Sequence, residues 1–150
     1  MSLYILDTDH VSLLLQGNQA VISKVAQVYP NLAITIVTVQ EIFNGWVVKI
    51  NDRTESANLV NLYTKLWTTQ EYFKGVRILN FDTAAYTCHQ GLLRENQQLN
   101  KKRLQKDLRI AAFAKRLLWR IALRANAVMV TRNQKDFSQI PNLVLEDWTH

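Results

Sequence analysis

The sequence has little that would tie it to a covalent scaffold or a membrane. Cys88 is the one cysteine among 150 residues, so no internal disulfide can form. A reducing, cytoplasmic setting is therefore expected. Four glycines and two prolines are too few for a collagen-like, linker-rich or many-turned β-sandwich chain. No apolar run approaches the ~20 residues of a membrane span. The start, Met1-Ser2-Leu3-Tyr4, lacks the basic opening and long apolar stretch of a secretory signal. His10, His89 and His150 have no zinc-like spacing to Cys or Glu. No internal repeat or low-complexity segment occurs. What remains is ordinary for a globular chain, with 48% hydrophobic and 20% charged residues. A chain of this length buries roughly 68–70% of its unfolded surface and needs no staple. One domain over 1–150 is expected.

The charge is uneven. The formal net charge is +6, with a pI near 9.6. Residues 101–124 carry nine bases (Lys101, Lys102, Arg103, Lys106, Arg109, Lys115, Arg116, Arg120, Arg124) and one acid, Asp107, for a net +8. The rest carries nine bases and eleven acids, a net −2. A basic stripe on a slightly acidic body suits either a polyanionic partner or a solvated helix face.

Short apolar runs alternate with helical spacings. Residues 3–6 read as a buried strand, followed by a helix that Gly17-Asn18 breaks. A second helix covers 19–29, and 32–37 is rich in β-branched residues and reads as a strand. Thr38 with Glu41 has the spacing of a capping box. Residues 54–73 read as a helix facing inward through Leu59, Leu62, Tyr63, Leu66 and Trp67, ended by Gly75. Val76–Leu79 is the third expected strand. Asp82 caps a helix reaching about Leu99, and a basic helix runs from about Lys106 to Arg124. Ala127–Val130 is the fourth strand, Asn133–Phe137 a short helix or turn, and Leu143–Leu145 the fifth strand. The pattern predicts a three-layer α/β/α sandwich on a mostly parallel sheet of about five short strands. Trp46, Tyr63, Trp67 and Tyr72 fit helix faces and are assigned to the core or an oligomer interface rather than to base stacking. His10 reads as a helix-surface residue and Cys88 as a small core residue.

Four acids fall at strand ends or helix starts. Asp7 follows the first strand, Glu41 lies early in the helix after the second, Asp107 opens the basic helix, and Asp136 follows the fourth strand. In parallel sheets such positions share the carboxyl edge. Clustered carboxylates repel unless a cation joins them, and a hard ion such as Mg²⁺ or Mn²⁺ suits oxygen ligands. Each acid also has an ordinary role available: Asp7 as a helix cap, Glu41 in the capping box, Asp107 at a helix dipole, Asp136 in a turn.

Four segments in this order resemble the motifs of PIN domains, most closely the VapC-like toxin branch. They are Leu6-Asp7-Thr8-Asp9-His10, Thr38-Val39-Gln40-Glu41-Ile42, Asp107-Leu108-Arg109-Ile110-Ala111-Ala112, and Val130-Thr131-Arg132-Asn133-Gln134-Lys135-Asp136-Phe137. The similarity spans almost the whole chain, and the last motif is the most specific. The resemblance implies a three-layer fold and endonucleolytic, Mg²⁺- or Mn²⁺-dependent cleavage of RNA. It makes Asp7, Glu41, Asp107 and Asp136 the catalytic and metal-binding quartet, with Thr8, Thr131 and Asn133 in support. Asp9 stands where many members carry Asn and is given at most an indirect role. The resemblance also implies a small antitoxin partner that enters the active-site groove, a homodimer, and no membrane. Lys101, Lys102, Arg103, Lys106, Arg109 and Arg116 are the candidates for RNA backbone contacts.

The stretch from Asp107 to Thr131 is about two helical turns longer than the family usually shows. Arg109-Ile110-Ala111 recurs as Arg120-Ile121-Ala122, and the Gly common before the third acid is missing. Two registers are therefore open. Either Asp107 is the third acid, as its block suggests, or Lys115 takes that position and the site loses a ligand. The latter makes the chain an impaired PIN-like module that binds RNA or an antitoxin. Asp7-Thr8-Asp9 after an apolar strand also opens the signature of haloacid-dehalogenase-like phosphatases, although the chain is short for that family.

Overall fold

The structure is a computed structural model and describes residues 2–120 and 127–150, without the side chains of residues 115–120. Its centre is a five-stranded sheet in the order β3-β2-β1-β4-β5. The strands are β1 (Leu3–Leu6), β2 (Leu32–Thr35), β3 (Ile78–Leu79), β4 (Ala127–Val130) and β5 (Val144–Glu146). Every pairing is parallel. The helices are α1 (Thr8–Leu15), α2 (Gln19–Val28), α3 (Ile36–Ile50), α4 (Leu59–Lys74), α5 (Thr83–Glu95), α6 (Gln105–Arg120) and α7 (Gln134–Phe137).

Alternation along the strands builds two cores. Leu3 and Ile5 of β1 pack with Ala33, Met129 and the apolar sides of α5 and α6. Tyr4 and Leu6 point the other way, toward Ile34, Val128, Val130 and residues of α1, α2, α3 and α4. The result is the expected three-layer sandwich. In α6 the run from Ile110 to Ala114 is buried without a break. Its three alanines let the helix pass close between sheet and α5, which suits a helix covered on both sides. Strand order reverses direction between β1 and β4, because β1 leads to β2 on one flank and meets β4 on the other. Crevices at such switch points open beyond the carboxyl ends of the strands.

Several local expectations change. β2 stops at Thr35, whose hydroxyl accepts from the Thr38 amide at 3.1 Å and caps α3. The β-branched Ile36 and Val37 thus begin a helix instead of extending the strand. Thr38 sits inside the first turn, so the capping box does not form and Glu41 has no capping duty. β3 is shorter than expected, because only Ile78 and Leu79 reach the Ile34–Thr35 end of β2. Residues 53–58 form a 3₁₀ turn before α4, and residues 97–99 form another after α5. β5 is shifted one residue onward, in register with Val128–Val130. Gly17, at φ +83°, ends α1 in a left-handed turn, as the expected break required. The expected end of the basic helix at Arg124 lies outside the described residues.

The buried line of α4 is Leu62, Thr69 and Phe73. Tyr63 and Trp67, expected inside, are 56% and 62% exposed, and Leu59 is also exposed. The helix touches α3 along one narrow seam, so the second half of its apolar stripe faces outward with Val60. Contiguous apolar surface of this kind is what protein contacts cover. His10 differs too: it is fully buried, not on a helix surface. Its Nδ1 meets Asp9 Oδ1 at 2.8 Å, and its Nε2 accepts from the Trp148 amide at 3.1 Å. The ring therefore clasps α1 to the C-terminal segment, where Trp148 packs against Tyr4.

Replacing His10 with Ala should lower stability by about 2–4 kcal/mol, because a cavity opens and two buried polar partners lose their bonds. Urea denaturation checks this; a midpoint equal to that of the wild type would show that the clasp carries no stability.

Candidate functional site

The carboxyl ends of β1 and β4 set the site. Asp7 continues the β1 ladder by one residue, its amide donating to Val130 O at 2.9 Å. Its buried side chain turns back over the start of α1, where Oδ1 accepts from the Thr8 amide at 2.8 Å. Oδ2 accepts from the Thr131 hydroxyl at 2.8 Å. Asp7 is thus a helix cap and part of the acid edge at once. Thr131 is fully buried just past β4, and its Oγ1 also accepts from the Asn133 amide at 3.0 Å.

Asn133 links the next two acids. Its Nδ2 donates to Asp107 Oδ2 at 2.9 Å and to Asp136 Oδ2 at 3.2 Å. One amide therefore ties the first turn of α6 to α7. This contact sets Asp107 beside Asn133, as one of the two registers requires; the side chain of Lys115, which the other register would place there, lies outside the described residues. Glu41, on α3, completes the group. Its Oε2 accepts from Lys106 Nζ at 3.0 Å, while its buried Oε1 has no hydrogen-bond partner among the described residues.

The electrostatics record how close these groups lie. Burial, helped by the Asp9 charge, pushes Asp7 up to about 6. Burial, then the charges of Asp7 and Asp136, push Asp107 up to about 7. Glu41 adds to both shifts. Two side-chain cations offset part of this repulsion. Arg103 Nη1 donates to Asp136 Oδ1 at 2.7 Å, and Lys106, bonded to Glu41, has its own pKa raised by that bond. The cations are 54% and 58% exposed, so these pairs are weak and readily exchanged.

Donor chemistry fits a hard divalent ion. The edge offers carboxylate oxygens, an orphaned buried Glu41 oxygen and two carboxyls with raised pKa values. Among the described residues, however, no three acidic, imidazole or thiol side chains form a ready chelating group. Asp136 and Glu41 are instead turned onto Arg103 and Lys106.

The other expected site residues divide. Thr8 donates to the Thr38 hydroxyl at 3.3 Å, which links the start of α1 to α3. Lys101 and Lys102 are exposed next to the acid edge in sequence. Arg109 lies near His89 of α5, whose pKa its charge helps lower after burial, so it flanks α5 instead of the acids. The side chain of Arg116 lies outside the described residues. Asp9 turns away from a catalytic geometry: Oδ2 accepts from the Arg132 amide at 2.9 Å and Oδ1 meets His10. A dehalogenase-like role for a free second Asp therefore has no support.

An α/β/α sandwich with acids gathered at its switch-point edge defines the class. No family model and no curated protein matches the chain. Solved structures do. The DNA-bound VapBC of Salmonella typhimurium superposes with a TM-score of 0.75 at 18% identity, covering 99% of both chains. VapBC-1 of nontypeable Haemophilus influenzae gives 0.71 at 22%, covering 98% of both. A toxin–antitoxin complex from Klebsiella pneumoniae gives 0.64 at 23%, covering 94% of this chain and 95% of that one. The chain has the fold of the PIN-domain, VapC-like toxins, and at these identities the likeness is one of fold.

Asp7 and Asp107 hold protons more tightly when folded than the ordinary carboxyl value of 3.8. Their contribution therefore favours the folded state at low pH and is lost as pH rises through about 6 to 7. In a chelator, the urea midpoint should fall from pH 5 to 7.5, and Asp107→Asn should flatten that slope. An equal slope in wild type and variant would show that Asp107 is not raised in the folded protein.

Proposed function

We propose that the chain is a metal-dependent endoribonuclease that hydrolyses RNA phosphodiester bonds, the toxin of a type II toxin–antitoxin pair. The observation that carries this reading is the Asn133 amide joining Asp107 to Asp136 beside the buried Asp7. Asp107 and Asp136 share that amide, and the charges of Asp7 and Glu41 reach Asp107.

Asp7, Asp107 and Asp136 would hold Mg²⁺ or Mn²⁺, with Glu41 assisting through its unpartnered oxygen. Such an ion activates water and neutralises charge on the phosphate. Thr131 and the Thr8 amide fix the Asp7 carboxylate, so its oxygens do not rotate away. Asn133 orients Asp107 and Asp136 toward the same space. Arg103 and Lys106 bring positive charge to the crevice; once the acids turn to an ion, both are free to meet RNA phosphates. Lys101 and Lys102 extend that basic approach. A small antitoxin and a second copy of the chain are the proposed protein partners, and the cytoplasm is the proposed location. Among the described residues, no helix is long and apolar enough to cross a membrane.

Asp7→Asn and Asp107→Asn should each lower Mn²⁺-dependent RNA cleavage by on the order of 100-fold or more. Circular dichroism spectra should stay unchanged. If purified Asp7→Asn cleaves RNA at the wild-type rate, the site is misassigned. If the wild type binds RNA but neither binds Mn²⁺ at the acids nor cleaves, the impaired-module reading replaces the nuclease.

A further inference from the structure

A cavity of about 580 Å³ opens between α1, α3 and α4, and Thr8 and Glu41 of the acid edge form part of its wall. Its far end is built differently. Trp46 is half-buried there, and its indole N–H donates to Thr69 Oγ1 at 3.1 Å. Thr69 in turn donates to Lys65 O at 2.8 Å, so the ring is held to α4. Lys49 Nζ lies over the ring at 5.1 Å from its centroid and Lys65 Nζ at 6.0 Å, so a base stacking on Trp46 would displace these two exposed ammonium groups toward its phosphates. Ser12, Gln16 and Thr68 add polar groups to the lining. Gly45 leaves the floor open, since a Cβ there would meet nothing within 4 Å.

We propose that this cavity is a nucleotide subsite, in which Trp46 stacks a base of single-stranded RNA and Lys49 and Lys65 hold its phosphates. The proposal rests on the ribonuclease reading above and extends it from the acids to substrate recognition. Three features favour this occupant. The volume suits a ligand of nucleotide size. Aromatic rings flanked by cations are how single-stranded nucleic acid is gripped without strict sequence readout. The shared wall at Thr8 and Glu41 puts the subsite next to the acids, where a nucleotide flanking the scissile phosphate must lie. Two ammonium groups beside an indole suit a base with its phosphates better than an apolar peptide. Trp46 packs against the second core, as expected of it, and the proposal adds base recognition to that role.

The test is fluorescence anisotropy with a labelled, random-sequence single-stranded RNA octamer in EDTA, which halts metal-dependent cleavage. Gly45→Leu fills the cavity from a helix position that accepts a side chain and leaves every acid in place. It should weaken binding about tenfold, the scale of one lost stacking contact. Lys49→Ala with Lys65→Ala, at exposed positions, should weaken binding and reduce the salt dependence by about 1.4 units of slope. Mn²⁺ affinity should be unchanged in both. Wild-type RNA affinity in both variants overturns the subsite and leaves the cavity to a protein segment. No RNA binding by the wild type overturns the subsite, while the ribonuclease reading stands or falls separately on Mn²⁺-dependent cleavage.

Discussion

Carboxylates buried together at the carboxyl edge of the sheet, first short of water and then repelling one another, are the constraint on which the local architecture turns. Parallel strands deliver the chain to one edge, and the helices that follow begin there. Asp7, Glu41, Asp107 and Asp136 arrive at that edge from four separate segments. Like charges so gathered raise one another's pKa unless donors or cations intervene. The surrounding residues supply both. Asp7 takes a helix amide and the Thr131 hydroxyl. Asp107 and Asp136 share the Asn133 amide, while Arg103 and Lys106 neutralise the outer acids. None of this removes the strain on Asp107, which remains the carboxyl most in need of a cation.

Much of the fold was legible because it depends on local pattern. Leu3 to Leu6 and Ala127 to Val130 are apolar on both faces, as a sheet covered by two helical layers demands. The acids were legible for a related reason. Asp7, Asn133 and Asp136 lie within a few residues of strand ends, so the strand order alone brings them near one another. Asp107 needed the third dimension. Its position depends on how α6 lies against the sheet, and one amide contact, from Asn133, brings it to the edge.

What the pattern could not show were choices made by tertiary packing. Ile36 and Val37 read as strand, yet the Thr35 hydroxyl turns them into the first turn of α3. The stripe on α4 read as buried, yet only Leu62, Thr69 and Phe73 of that helix are buried. His10 carried no signal of burial, because its partners Asp9 and Trp148 are separated by most of the chain. The basic stripe read as one surface but divides into parts. Arg103 and Lys106 turn onto acids, Arg109 flanks α5, and Lys101 and Lys102 face solvent. The +8 segment is therefore a counter-charge to the acid edge as well as a surface for polyanions.

The most direct measurement is a crystal structure of the protein soaked in Mn²⁺, read by anomalous scattering. The account predicts a peak bridged by Asp7, Asp107 and Asp136, with Lys106 and Arg103 turned away from Glu41 and Asp136. A fully occupied Mn²⁺ elsewhere, with Asn133 still bridging Asp107 and Asp136 and both salt bridges intact, would contradict it.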